Sequence, residues 1–295
     1  MTTAPLDSAT RWHGVHTALI TPMHPDGALD LDAWGTLCER QLDAGVHGLV
    51  PCGTTGETPT LSAAEQDLLV REAVVRAHAR PQRALVIAGA GSNDTRQTVQ
   101  NIDRVAALGV DAALVVFPYY NKPTPAGLRA HVREVTRPGL PVVLYHVPGR
   151  TGQRLGVELL AELCAVDGVV AVKEATGDLL YDQDLLELTD RPVLSGDDFT
   201  FAPLTVMGGA GVISVLSNLA PALTVAWYTA AVQGDVAALR RLRVQLQPVV
   251  RALFAESNPI PAKAAMAAMG LCGDTLRLPL SASRWPLPAA LRDLS

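Results

Sequence analysis

The chain has 295 residues, 48% of them apolar, which is enough for a large core and long for one ordinary domain. A formal charge of −5 spread along the chain excludes a surface built for nucleic acid or an anionic membrane. Cys38, Cys52, Cys164 and Cys272 show no CxxC spacing, and residues 1–14 hold no apolar signal-like run. Together these features predict free thiols in a reducing cytoplasm.

Short apolar runs alternate with helical patterns in chain order. Residues 15–22 read as the first strand and 32–44 as an amphipathic helix. Residues 46–53 form the second strand, and a helix over 62–79 opens with Ser62-Ala63-Ala64-Glu65, a capping-box pattern. Strands at 84–91 and 112–120 are followed by helices at 94–108 and 125–136. The fifth unit is 141–147 with 157–166, the sixth 169–175 with 179–189, the seventh 192–198 with 200–207, and the eighth 211–217 with 221–232.

Eight consecutive βα units at roughly thirty-residue spacing predict an α/β chain closed as a (β/α)8 TIM barrel over residues 1–234. The alternative is a doubly wound open sheet. Its nucleotide fingerprint is imperfect here, because Gly89-Ala90-Gly91-Ser92-Asn93-Asp94 carries Asp94 where the last glycine belongs. Residues 199–234 hold no charge, but Gly208-Gly209, Gly211, Ser217-Asn218 and Pro221 punctuate them, so a membrane span is the weaker reading. Purely helical patterns at 236–254 and 261–270, then a Pro-rich tail at 278–288, predict a C-terminal helical extension over 235–295.

Chemistry in such a barrel sits at the carboxyl ends of the strands. The sixth strand, Val169-Val170-Ala171-Val172, runs into Lys173. Lysine is scarce in this chain: only Lys122, Lys173 and Lys263 occur among 24 basic residues. Lys173 therefore marks a task arginine cannot perform, losing its proton and attacking a carbonyl, although a strand-end lysine reaching solvent is the plainer alternative. An ordinary lysine is deprotonated in only about one molecule in a thousand at neutral pH. Burial in the barrel mouth would favour the neutral amine.

The second strand ends in Gly53-Thr54-Thr55-Gly56-Glu57, either a cradle of N–H groups and hydroxyls for a small carboxylate or an ordinary Gly-rich turn. The fourth ends in Pro118-Tyr119-Tyr120-Asn121, where tyrosines pack or relay protons. The fifth ends in Tyr145 to Gly152, with a hydroxyl five residues before Arg150, a residue suited to a carboxylate clamp or to a surface ion pair. The seventh ends in Gly196-Asp197-Asp198. Adjacent residues on a strand face opposite ways, and the seven histidines form no ligand cluster, so a metal site is not expected. The combined set suits imine formation with an α-keto acid.

With these residues in place the chain resembles the pyruvate-dependent class I aldolase family of dihydrodipicolinate synthase and N-acetylneuraminate lyase. The resemblance runs nearly end to end. It includes Thr21-Pro22-Met23, Gly53 to Glu57, Ala88-Gly89, Pro118 to Asn121, Tyr145 to Gly152 and Val172 to Gly177. It continues through Leu194 to Asp198, Gly211 to Ser214, Asn258 to Lys263 and Asp274 to Pro279. The Gly149-Arg150-Thr151-Gly152, Asn258 to Lys263 and Asp274 to Pro279 stretches point, within the family, to the synthase branch of lysine biosynthesis.

The resemblance implies a Schiff base between Lys173 and pyruvate, with no other cofactor. It implies that Tyr145 is the acid/base, that Thr54 links it to Tyr120, and that Tyr120 enters from a neighbouring subunit of a homotetramer. Thr55 and adjacent backbone would hold the pyruvate carboxylate, Arg150 would receive aspartate-semialdehyde, and Gly196 and Ile213 would line the pocket. The implied product is 4-hydroxy-tetrahydrodipicolinate.

Two departures stand out. His146 occupies a position where most members carry asparagine. Lysine-inhibited members bind lysine through an Asn, a Tyr, a Glu and commonly a His; here Asn93 and Tyr119 match, but Gln97 replaces the Glu and Ala63 the His. Losing that carboxylate removes roughly 1.5–3 kcal/mol of charge-assisted binding, so feedback inhibition is expected to be weak or absent. The competing readings are a pyruvate lyase acting on a sugar acid or hydroxy-keto acid, and a silent barrel that only binds keto acids.

Overall fold

Eight parallel strands pair in sequence order and close on themselves, β1 meeting β8, in the computed structural model, which describes residues 10–283 and residue 289. The strands are β1 Gly14–Ala18, β2 Gly48–Val50, β3 Leu85–Gly89, β4 Ala112–Val116, β5 Val142–His146, β6 Val169–Glu174, β7 Val193–Ser195 and β8 Gly211–Ser214. Each is shorter than the apolar run that predicts it. The run continues past the last ladder rung into the loops at the barrel mouth, where residues such as Cys52 and Phe117 stay buried beyond the ends of their strands.

The helices follow the predicted alternation: α1 Leu31–Asp43, α2 Ala63–His78, α3 Thr95–Ala106, α4 Pro125–Thr136, α5 Pro148–Thr151, α6 Val157–Cys164, α7 Leu179–Leu188, α8 Phe201–Val206 and α9 Pro221–Gln233. The capping box at α2 forms as expected, Ser62 Oγ accepting from the Glu65 N–H while Glu65 accepts from the Ser62 N–H at 2.8 Å. The four-residue α5 is absent from the sequence reading, which passes from the fifth strand to a helix at 157–166.

Two apolar layers result. The inner one fills the barrel with Ala18, Val50, Ile87, Leu114, Val143, Tyr145, Ala171, Leu194 and Ile213. The outer one, between strands and helices, includes Leu144, Val172, Trp34 and Phe201. Strand alternation then fixes the faces at the critical position. Ala171 is inside and Val172 outside, so Lys173 points inward and Glu174 outward; likewise Tyr145 points inward and His146 outward. Fully burying one of the larger apolar side chains contributes about 1.5–3 kcal/mol, which is what holds this alternation in register.

After α9 come α10 Val236–Leu253 and α11 Ile260–Ala268. α10 packs on α9, and residues 274–279 then run back to the loop after β2. Of the predicted extension, residues 284–288 and 290–295 lie outside the described residues. No described helix is long and apolar enough to cross a membrane.

Candidate active site

Lys173 and Tyr145 are partners across the β5–β6 ladder, one rung from the mouth. The Lys173 side chain is buried and its Nζ stands 4.2 Å from the centroid of the Tyr145 ring. Room for the stem depends on Gly196: a Cβ there would come 3.0 Å from Lys173 Cε and 2.6 Å from Ala175 Cβ. The predicted pocket glycine therefore acts by being small. Ile213 belongs to the same interior cluster as Tyr145, but neither it nor Gly196 is in the wall of the cavity above Lys173.

A cavity of about 280 Å³ opens above this pair, with Thr54, Thr55, Tyr119, Tyr145, Arg150 and Lys173 in its wall. The Gly53-Thr54-Thr55-Gly56-Glu57 turn is held from two sides. Gly89 lets the preceding Cys52 carbonyl approach β3, since a Cβ there would fall 1.9 Å from that oxygen. Glu57, in the left-handed region at φ +56°, places its carboxylate in the interior. Its Oε1 accepts from Lys263 Nζ at 2.5 Å and its Oε2 from the Arg277 N–H at 3.1 Å. Lys263 Nζ also donates to the Thr275 carbonyl at 2.5 Å.

Asn258 completes the support. Its Nδ2 donates to Thr55 Oγ1 at 2.9 Å, and its carbonyl accepts from Arg150 Nη2 at 3.2 Å. Arg150 pairs with no carboxylate among the described residues, so it is not the surface ion pair that the sequence left open. Glu57, Asn258, Lys263 and Arg277 position the site, yet none of them was a candidate from sequence. The available signal was the third lysine: the scarcity that singles out Lys173 singles out Lys263 equally.

Tyr120 is 89% exposed, at φ +74°, and does not line its own chain's cavity, whereas Tyr119 does; the resemblance places the Tyr120 hydroxyl in a neighbouring subunit's site, not in this one. Within one chain no hydrogen bond joins the hydroxyls of Thr54, Tyr145 and Tyr120 among the described residues. The side chains expected to form a relay are thus brought together only in part.

The acidic pair at β7 divides as alternation requires. Asp198 is buried and spent on the end of β8, accepting from Ser214 Oγ at 2.5 Å and from the Val215 and Leu216 N–H groups at 2.9 Å each. Asp197 feels the charge of Lys173, which opposes the upward push of burial on its carboxyl. Among the described residues no three His, Cys, Asp or Glu side chains converge as metal ligands.

His146 lies behind the site on the outer face. Leu155 N–H donates to its Nε2 at 3.1 Å, so the ring proton resides on Nδ1, 3.2 Å from Glu174 Oε1. Burial and the charge of Arg154 press its pKa down to about 4, so it stays neutral near physiological pH. Asn93 and Gln97 sit at the start of α3. The Asn93 carbonyl accepts from Asn121 Nδ2 at 2.7 Å beside Tyr119, and Gln97 is occupied with Asn101 at 3.0 Å.

A model of the dihydrodipicolinate synthetase family matches residues 11–285. Over 277 residues the chain is 46% identical to a 4-hydroxy-tetrahydrodipicolinate synthase from Anaeromyxobacter sp. (strain Fw109-5), covering 92% of each chain. Its fold is similar to the solved structure of a monomeric dihydrodipicolinate synthase variant, with TM-score 0.92, 38% identity, and 98% of this chain and 97% of the other covered. The dihydrodipicolinate synthase of Thermotoga maritima gives TM-score 0.91 at 38% identity, covering 96% and 97%.

Proposed function

The chain belongs to the dihydrodipicolinate synthetase family, and from that premise we propose that it condenses pyruvate with L-aspartate-4-semialdehyde to 4-hydroxy-tetrahydrodipicolinate. The observation that carries this reading is the placement of Lys173 Nζ over the Tyr145 ring, in one cavity with Thr54, Thr55 and Arg150. The neutral Lys173 amine attacks the pyruvate ketone, and loss of water gives a protonated imine that withdraws electrons from the adjacent methyl group. Removing a methyl proton yields the enamine, whose carbon attacks the semialdehyde. The substrate's own amine then closes the ring and displaces Lys173. One water is released overall, and the covalent imine takes the place of any separate cofactor.

Thr55 and the neighbouring backbone hold the pyruvate carboxylate, and Arg150 offers a guanidinium to the carboxylate of the second substrate. Tyr145 shuttles protons, with Thr54 beside it. Tyr120 points out of its own barrel, so a second copy of the chain receives it. A homotetramer built as a dimer of dimers, working in the cytoplasm within lysine biosynthesis, is the assembly we infer. The monomeric relative makes solution mass the direct check on that state.

Borohydride reduction in the presence of pyruvate, followed by peptide mass spectrometry, tests the core of the reading. The expected result is one pyruvyl adduct on Lys173; an unmodified Lys173 overturns it. A parallel assay with aspartate-semialdehyde and N-acetylneuraminate fixes the acceptor, and turnover of the sugar acid alone would reassign the chain to the lyase branch.

A further inference from the structure

Behind Lys173, on the outer face of β6, two carboxyl groups meet in the interior. Glu174 and Asp182 have about 2% and 1% of their surface exposed, and neither pairs with lysine or arginine among the described residues. Glu174 accepts three donors: His146 Nδ1–H at 3.2 Å, the Thr176 N–H at 2.8 Å and Thr176 Oγ1 at 3.0 Å. Asp182, one helical turn into α7, reaches Glu174 within hydrogen-bonding contact, yet its Oδ1 has no donor of its own. Two adjacent ionised carboxylates in a low-dielectric interior repel strongly, and a shared proton removes that repulsion.

We propose that Glu174 and Asp182 share one proton, and that Asp182 is thereby a positioning residue for Lys173. The chain of contacts runs through the fold. Lys173 and Glu174 are consecutive, so the carboxylate that Asp182 holds fixes the backbone on which the nucleophile stands. The rungs Tyr145–Lys173 and His146–Glu174 are adjacent, and the His146–Glu174 hydrogen bond pins β5 against β6 beside the catalytic pair. Leu155 closes the loop, its N–H donating to His146 and its carbonyl accepting from Tyr181 Oη at 3.1 Å on α7. His146 also stacks on the Tyr181 ring at 5.6 Å. The proposal rests on Lys173 being the nucleophile.

Electrostatics agree with the geometry. Burial and the neighbouring Glu174 push the Asp182 carboxyl up to about 9, and burial raises Glu174 as well. Asp197 from the β7 loop and Asp178 at the start of α7 add negative charge, whereas Arg154 faces Asp178 and Tyr181 from the other side. His146 is held neutral by burial and the charge of Arg154, so it supplies a hydrogen bond and no cation. A carboxyl raised in the folded state keeps its proton at neutral pH and loses it as pH rises through about 9.

Three measurements on the full-length enzyme test this. Infrared spectroscopy at neutral pH should show a protonated-carboxyl stretch that disappears in Asp182→Asn; a wild-type spectrum without the band overturns the shared proton whatever Lys173 does. The pyruvate-trapping rate of the wild type should fall as pH rises through about 9, relative to Asp182→Asn, which keeps the donor but cannot ionise. Identical alkaline profiles overturn the proposal. Asp182→Leu should lower the trapping rate by roughly tenfold or more at neutral pH, since about 1 Å of misplacement costs on the order of a hundredfold. A wild-type trapping rate in Asp182→Leu overturns the positioning role, and if that variant does not fold, the Asp182→Asn comparison decides. Failure of the wild type itself to be trapped would instead refute the nucleophile assignment.

Discussion

Two buried lysines in one chain behave oppositely. Lys263 is wholly buried, yet Glu57 and the Thr275 carbonyl both lie 2.5 Å from its Nζ. Burial pulls its pKa below the ordinary ammonium value, and Glu57 pushes back. Lys173 is 7% exposed and faces an aromatic ring and a cavity, with no hydrogen-bond acceptor among the described residues. Burial alone therefore does not decide what a buried lysine does. The difference lies in the partners: Lys263 spends its charge on holding a loop, and Lys173 faces the cavity without such a partner, as the proposed nucleophile requires.

Lys173→Arg should break the comparison most severely. It keeps the charge, abolishes the pyruvate adduct and lowers turnover by on the order of a thousandfold or more, measured by reduction trapping and steady-state assay. Lys263→Met should act on stability instead, by about 3–5 kcal/mol in urea unfolding, because Glu57 is stranded without its partner. Adding Glu57→Gln to Lys263→Met should recover part of that loss; no recovery would mean the pair is not the source.

Arg150→Ala should reduce kcat/KM for aspartate-semialdehyde by about ten- to a hundredfold, from the loss of a charge-assisted contact, while pyruvate trapping stays at the wild-type rate. His146→Asn sharpens the role of the outer face. His146 is neutral in the fold with its pKa at about 4, below the unfolded value of 6.5. Its neutral form contributes stability above pH 6.5, and that contribution is lost as pH falls from 6.5 through about 4. The variant should show an acid limb shallower by up to about 1.4 kcal/mol per pH unit there. The smallest expected effect is that of free lysine: with Gln97 and Ala63 in the effector positions, sub-millimolar lysine should leave activity essentially unchanged, and strong inhibition would contradict this.

The eight strands were legible because parallel strands buried on both faces are written as unbroken apolar runs, and β6 is the clearest case. Their ends were not, since Cys52 and Phe117 continue the apolar pattern beyond the last residues of β2 and β4. Lys173, Tyr145, Thr54, Thr55 and Arg150 were all found from strand ends, and the structure gathers them in one cavity. Tyr120 was named with them as a side chain entering from a neighbouring subunit, and on its own chain it is exposed. The stretches holding Glu57, Asn258 and Lys263 carried the resemblance, but their contacts were not legible, because they join residues about two hundred positions apart, a distance that no period of 2 or 3.6 encodes. Asp182 escaped because an acid on a helix reads as surface charge until its neighbours are known.

The Glu57–Lys263 contact also orders events in time during synthesis. A ribosome that has made residues up to 254 has delivered every strand of the barrel and both members of the Lys173–Tyr145 pair. The clasp on the Thr54–Thr55 turn, however, is still unmade. The strands thus precede, in order of synthesis, the residues that fasten the rim, and a chain stopped between residues 254 and 263 would carry all eight strands without that clasp.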